Sequence, residues 1–131
     1  MSEPLYYQDY PSTAVQITSG HSAEYDGANA VLLVDDPTPD TIDVYVWGMP
    51  YDTTTPGNVL RLYKKTNSVK VPLGDTEIPV SEKSTIRPDW RKAIVPKFNP
   101  VKLAPGEQLY VDQEGSDKLR IMAQKATLVN G

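Results

Sequence analysis

Any catalytic role for this sequence has to involve His21, its only histidine. His21 sits in "TSGHSAEYDG" (residues 18–27), close to Ser19, Ser22, Glu24 and Asp26. The residue types of an acyl-transfer site are therefore present. A nucleophile, a base and an orienting acid work as a geometry between separate elements, however, and one short turn does not supply it. We read His21 as a polar turn residue and expect no enzyme. Asp35, Asp36 and Asp40 in "DDPTPD" offer oxygens that suit calcium, but their spacing is not that of an EF-hand loop. Two prolines make an acidic turn the plainer reading, so no metal is expected there.

A second group of side chains is basic and aromatic. Arg87, Arg91, Lys92, Lys97 and Lys102 surround Trp90 and Phe98, with Asp89 the one acid among them. Bases interleaved with aromatics can hold single-stranded nucleic acid. The net charge of −4 and the prolines argue against that partner and favour a solvated edge or an acidic protein partner. Trp47, Trp90 and the eight tyrosines are enough for a sugar platform, if they share one exposed face. The glycines are dispersed and form no phosphate-cradling loop. With no cysteine, the chain has no disulfide, zinc-thiolate site or thiol nucleophile. No cofactor is expected.

The elements that must position these groups are strands. Twelve prolines among 131 residues leave few windows for an α-helix, and the apolar residues repeat every second position. "TIDVYVW" (41–47) puts Ile42, Val44 and Val46 on one face and Asp43, Tyr45 and Trp47 on the other. "NVLRLYKK" (58–65) sets Leu60 and Leu62 against Val59, Arg61 and Tyr63. "TAVQIT", "NAVLLV", "TEIPV", "KAIVPKF", "EQLYVDQ" and "KLRIMAQ" complete about eight short strands. Turns are expected at Asp26-Gly27, Asp35 to Asp40, Pro56-Gly57, Gly74-Asp75, Pro105-Gly106 and Gly115-Ser116. Pro79 and Pro96 place their runs at sheet edges or at bulges. Residues 80–92 read as a long connection.

This pattern predicts an all-β fold, an antiparallel two-sheet β-sandwich of jelly-roll or immunoglobulin-like type. Residues 13–131 form its single domain, and residues 1–12 an extended N-terminal arm. In "MSEPLYYQDYPS" the arm carries Leu5, Tyr6, Tyr7 and Tyr10, side chains suited to an interface with a neighbouring subunit. Packing along its own domain as an edge strand is the alternative. The longest apolar run, Ala30 to Val34, is far too short to span a membrane, and Met1-Ser2-Glu3-Pro4 does not resemble a secretory signal. Charge is divided along the chain: residues 1–60 hold nine acids and no Lys or Arg, and residues 61–131 hold all thirteen bases. Either the halves interleave in the fold, or they present complementary faces.

One stretch is distinctive. "VKLAPGEQLYV" (101–111), with "DTTTPGNVLRLYKK", "DTEIPV", "RPDWRKAIV" and "KLRIMAQ", resembles a group of small proteins encoded among the head and tail genes of tailed bacteriophages. The resemblance runs from about Thr53 to Gln124. It implies a virion structural protein, a capsid decoration or cement protein, made in the host cytoplasm and placed on the capsid surface. Its partners would be the major capsid protein and itself, as a homotrimer, with no nucleic acid or membrane involved. The expected partner-facing residues are Leu5, Tyr6, Tyr7, Tyr10, Arg87, Trp90, Arg91 and Lys97. A tail or head-to-tail connector component and a carbohydrate-binding module remain as alternatives.

Overall fold

A computed structural model describes residues 5–9, 13–18, 20–21, 25–35, 39–50, 53–80 and 93–130, with the backbone path alone for 5–9 and 127–130. Among the described residues there is no helix. The strands are β1 (Leu5–Asp9), β2 (Thr13–Ile17), β3 (Val31–Asp35), β4 (Ile42–Pro50), β5 (Val59–Thr66), β6 (Val69–Glu77), β7 (Val101–Leu103), β8 (Gln108–Gln113) and β9 (Leu119–Asn130). One sheet runs β1-β9-β4-β7, with β2 also paired to β9, and the other runs β3-β8-β5-β6. Every pairing between these strands is antiparallel. The protein is an all-β sandwich, and the strand order selects the jelly roll from the two expected types. From β2 onward each connection crosses from one sheet to the other, except the β5–β6 hairpin.

The crossing turns explain the sequence at its most distinctive point. Pro105-Gly106 carries the chain from β7 in the first sheet to β8 in the second. Gly106 takes the left-handed conformation that the corner needs (φ +82°). Glu107 locks it, since its backbone N–H donates to Ala104 O at 3.0 Å while its carboxylate accepts from Ala104 N–H at 2.7 Å.

Alternation then builds the core. Ile42, Val44 and Val46 of β4 and Leu119, Ile121 and Ala123 of β9 face Leu60, Leu62, Leu109 and Val111 of the second sheet, all fully buried. Gly48 permits the close approach of β4 and β9. A Cβ there would lie 2.5 Å from Ile121 Cδ1 and 3.0 Å from Arg120 O. The sandwich is also tied by polar groups. Asn58 Nδ2 donates to Gln113 Oε1 (2.9 Å) and to Asp117 Oδ2 (2.8 Å), and Asn58 Oδ1 accepts from Gly115 N–H (2.6 Å). Asp117 also accepts from the Thr55 backbone N–H and hydroxyl, both at 3.0 Å. This satisfied cluster clips the loop before β5 to the loop after β8.

Beyond β7, the edge of β4 is completed by a side chain. The Asn99 amide accepts from Val46 N–H and donates to Val46 O, and Ile94 exchanges both backbone bonds with Gly48. Asn99 thus stands in for a strand where the strand is missing.

Two local expectations are corrected, and the open question of charge is answered. Gly74-Asp75 is not a turn: it lies inside β6, next to a register shift opposite Leu62 and Tyr63. The turn of that hairpin is Asn67-Ser68, both at positive φ (51° and 68°), as a two-residue hairpin requires. "KAIVPKF" contributes one bridge, at Ile94, and the strand lies later, at Val101–Leu103. The charge halves interleave. β4 of the acidic half lies between β9 and β7 of the basic half, and Lys102 Nζ pairs with Asp43 Oδ1 at 2.9 Å.

Candidate interaction surface

The same alternation that buries one side of β4 and β9 exposes the other. Asp43, Tyr45, Trp47 and Met49 of β4 and Arg120, Met122 and Gln124 of β9 point away from the core. The register then aligns them with β2. Trp47 lies opposite Met122, which lies opposite Ala14, and Met49 lies opposite Arg120, which lies opposite Gln16. Two rows therefore cross three strands. Cross-strand neighbours of this kind are about 4.5–5.5 Å apart at Cβ, so each row is a continuous surface.

Its chemistry is unusual for the wet side of a sheet, where polar side chains are the rule. Trp47, Met49 and Met122 are each at least 37% exposed. With Ala14, Gln16 and Arg120 they line a shallow concavity of about 440 Å³. Arg120 is the one charged side chain in that lining. Trp, Met and Arg are the residue types enriched in protein interfaces.

The outer face of the second sheet is different, because Tyr25 and Gly27 lie across it. Gly27, at φ +77°, fits closely over Tyr63: a Cβ there would meet the Tyr63 ring at 3.3 Å and the Lys70 side chain at 2.9 Å. Lys70 Nζ donates to Gly27 O at 3.0 Å. The Tyr25 ring stacks on His21 at 4.3 Å and carries the Arg61 guanidinium at 4.3 Å on its face. Arg61 also forms a bidentate pair with Asp75, which holds the Asp75 carboxyl below the ordinary range and keeps Arg61 charged.

Beneath this strap are two buried polar groups. Tyr63 is fully buried and Asp112 is 1% exposed, and neither the Tyr63 hydroxyl nor either Asp112 oxygen completes a hydrogen bond. Burial is the main cause that pushes the Asp112 carboxyl above its ordinary pKa, with Tyr63 and Arg61 pulling the other way. Burial, aided by the Asp112 charge, pushes the Tyr63 hydroxyl up to about 12. His21 is thus a packing partner of Tyr25 at the rim of a closed polar pair.

The sequence-predicted residues fall as follows. The backbone of Leu5, Tyr6 and Tyr7 pairs with Asn130, Val129 and Leu128 of β9, so this part of the arm is a strand of the domain's own first sheet. β1 and β2 lie end to end along one edge of β9. Lys97 is exposed in the turn before β7, and Phe98 packs against the core. Tyr10, Arg87, Trp90 and Arg91 lie outside the described residues, as does Asp36. Among the described residues no group of three His, Cys, Asp or Glu is placed to hold a metal ion. Of the tyrosines with described side chains, only Tyr45 shares the outward face of β4 with Trp47; Tyr25, Tyr63 and Tyr110 lie on the second sheet. Met49, Met122, Ala14 and Arg120 were not singled out from sequence. The outward place of Trp47 in "TIDVYVW" was the available signal.

No family model matches the sequence, and no curated protein matches it. Among solved structures, the chain is similar to a chain in the structure of the infectious bursal disease virus Gt strain. The two are 12% identical, with a TM-score of 0.40 over 98% of this chain and 32% of that one. A chain in the structure of the Gx strain gives 9% identity and a TM-score of 0.39, over 98% and 33%. The protein spans about a third of the length of either chain.

Proposed function

We propose that this protein is a virion structural protein, a capsid decoration or cement protein that docks on the major capsid protein through the outer face of its first sheet. One observation carries the reading: a Trp47–Met122–Ala14 row and a Met49–Arg120–Gln16 row cover the solvent side of three adjacent strands. The resemblance of residues 53–124 to small phage head and tail proteins agrees with it. So does the jelly roll, an architecture that viral capsid and lectin domains use, although fold alone assigns no function. The concavity fits a convex apolar anchor from the partner, and Arg120 at its edge fits a carboxylate beside that anchor. Such a role requires no catalytic group and no cofactor. Many identical contacts on one shell would add up to firm attachment, and a homotrimer would multiply them further.

The test is attachment of purified protein to capsids that lack it. Trp47→Glu and Met122→Glu should each weaken attachment by about 30-fold or more, as expected for a central anchor worth 2 kcal/mol or above. Their circular dichroism spectra should match wild type. Unchanged attachment in both variants would overturn the docking face. Gln16, Arg120 and Gln124 around Trp47 also suit a sugar ring. Glycan binding that is lost in Trp47→Ala, without capsid attachment, would replace the cement reading with the carbohydrate-binding one.

A further inference from the structure

The chain has three methionines and no cysteine. With no thiol to compete, the thioethers are the side chains that a peroxide oxidises most readily. Besides Met1 they are Met49 and Met122, and both lie on one face. Met122 is the cross-strand neighbour of Trp47, and Met49 follows Trp47 by two residues on the same side of β4. Met49 pairs with Arg120, two residues before Met122 on β9, so the methionines are diagonal neighbours about 7–8 Å apart. Trp47 adjoins both.

Both are also within reach of solvent. Met49 is 45% exposed and Met122 37%, and both line the concavity of about 440 Å³, which is open to a molecule as small as hydrogen peroxide. Elsewhere among the described residues the exposed large aliphatic side chains are valines and leucines, which a peroxide leaves untouched. Leucine would fill either position with nearly the same volume and polarity. Oxidisable sulfur is therefore confined, among the described residues, to the face that carries Trp47.

We infer, on the docking reading above, that Met49 and Met122 form an oxidation site that turns the docking face off, with a peroxide as oxidant. A lone pair of the thioether sulfur attacks one peroxide oxygen. The S–O bond forms as the O–O bond breaks, and the departing hydroxide takes up the proton of the transferred oxygen. The products are a sulfoxide and water: sulfur is oxidised by two electrons and the peroxide reduced by two. A flexible apolar side chain thereby becomes a polar one. In the free protein water solvates the new oxygen, and the fold is undisturbed because both side chains point away from the core. Against an apolar anchor the oxygen loses that water and gains no donor, so docking is what weakens. Once docked, the partner covers both sulfurs and slows their oxidation.

The experiment treats the purified full chain with hydrogen peroxide and maps the product by peptide mass. Met49 and Met122 should each gain one oxygen atom while the circular dichroism spectrum stays that of wild type. The oxidised protein should attach at least tenfold more weakly to capsids that lack it. Methionine sulfoxide reductases for both epimers should restore attachment, an arm that needs no variant. On decorated capsids the same treatment should oxidise both positions more slowly. Met49→Leu/Met122→Leu, whatever its own affinity, should attach equally before and after peroxide. The inference is overturned if neither position gains oxygen, if the spectrum changes, if the doubly oxidised protein attaches undiminished, or if the peroxide effect persists in the double variant. Trp47→Glu keeps the two readings apart. Weak attachment of Trp47→Glu beside full attachment of oxidised wild type defeats the oxidation site alone, whereas full attachment of both defeats the docking face and the oxidation site with it.

Discussion

Replacing Asp112 by Asn should stabilise the protein at neutral pH. The carboxyl is 1% exposed, and neither oxygen completes a hydrogen bond. A buried polar group left in that condition costs about 1–3 kcal/mol, and more if charged. The Tyr63 hydroxyl beside it and, less, the Arg61 guanidinium offset part of the charge. An amide keeps the shape, carries no charge and can donate to the Tyr63 hydroxyl. A gain of about 1–2 kcal/mol at pH 7 is therefore expected, or roughly 3–8 °C in Tm for a domain of this size. The pH dependence fixes the cause. Because burial raises the folded pKa above the unfolded one, the native state holds this proton the more tightly. That contribution is complete below the unfolded pKa and is lost as pH rises through the folded pKa. The advantage of Asp112→Asn should thus grow from acid toward neutral pH and level off above the folded pKa. Urea denaturation of both proteins at several pH values between 3 and 8 measures it. An Asp112→Asn protein that is less stable at pH 7 would mean that attraction to Arg61 outweighs burial, and would refute the reasoning.

Two further variants probe separate parts of the fold. Asn58→Ala removes three hydrogen bonds and leaves the Gly115 N–H without its acceptor, so urea denaturation should show a loss of about 2–3 kcal/mol with the spectrum still β-type. His21→Ala should leave capsid attachment unchanged and lower stability by less than about 1 kcal/mol, since it removes a ring stack on an exposed tyrosine; loss of attachment in that variant would give His21 a role beyond packing.

Local alternation carried far into the structure. The inward set Ile42, Val44 and Val46 and the pair Leu60 and Leu62 are readable from period two alone, and all are buried. The Pro105-Gly106 corner is readable too, because its residues dictate a turn wherever they stand. β6 was hidden because Pro72 and Gly74 look like breakers, yet an edge strand tolerates a proline and a bulge accommodates the glycine. Asn67-Ser68 lacked the glycine that usually marks a two-residue hairpin. The outward rows across β4, β9 and β2 were only half legible. Trp47 points outward by alternation, but its meeting with Met122 and Ala14 depends on strand register between distant segments, which no local pattern encodes. The Asn58–Gln113–Asp117 clip and the Tyr63–Asp112 pair depend on register in the same way.

The two outer faces of this sandwich show how its stability and its contacts are kept apart. Folding requires only the inner faces, and those are filled by aliphatic side chains from both sheets. The second sheet covers part of its outer face with Tyr25 and Gly27, at the cost of enclosing a carboxyl that would be better solvated. Across β2, β9 and β4, in contrast, the first sheet leaves Trp47, Met49 and Met122 in water among the described residues. Enlarging or charging these side chains disturbs no inner-face packing, because every one of them points away from Ile121 and Val46. A surface with that freedom can change while the core stays fixed. Gly48 marks the limit of the freedom: it lies between Trp47 and Met49, and any side chain there would press on Ile121 and reach the core.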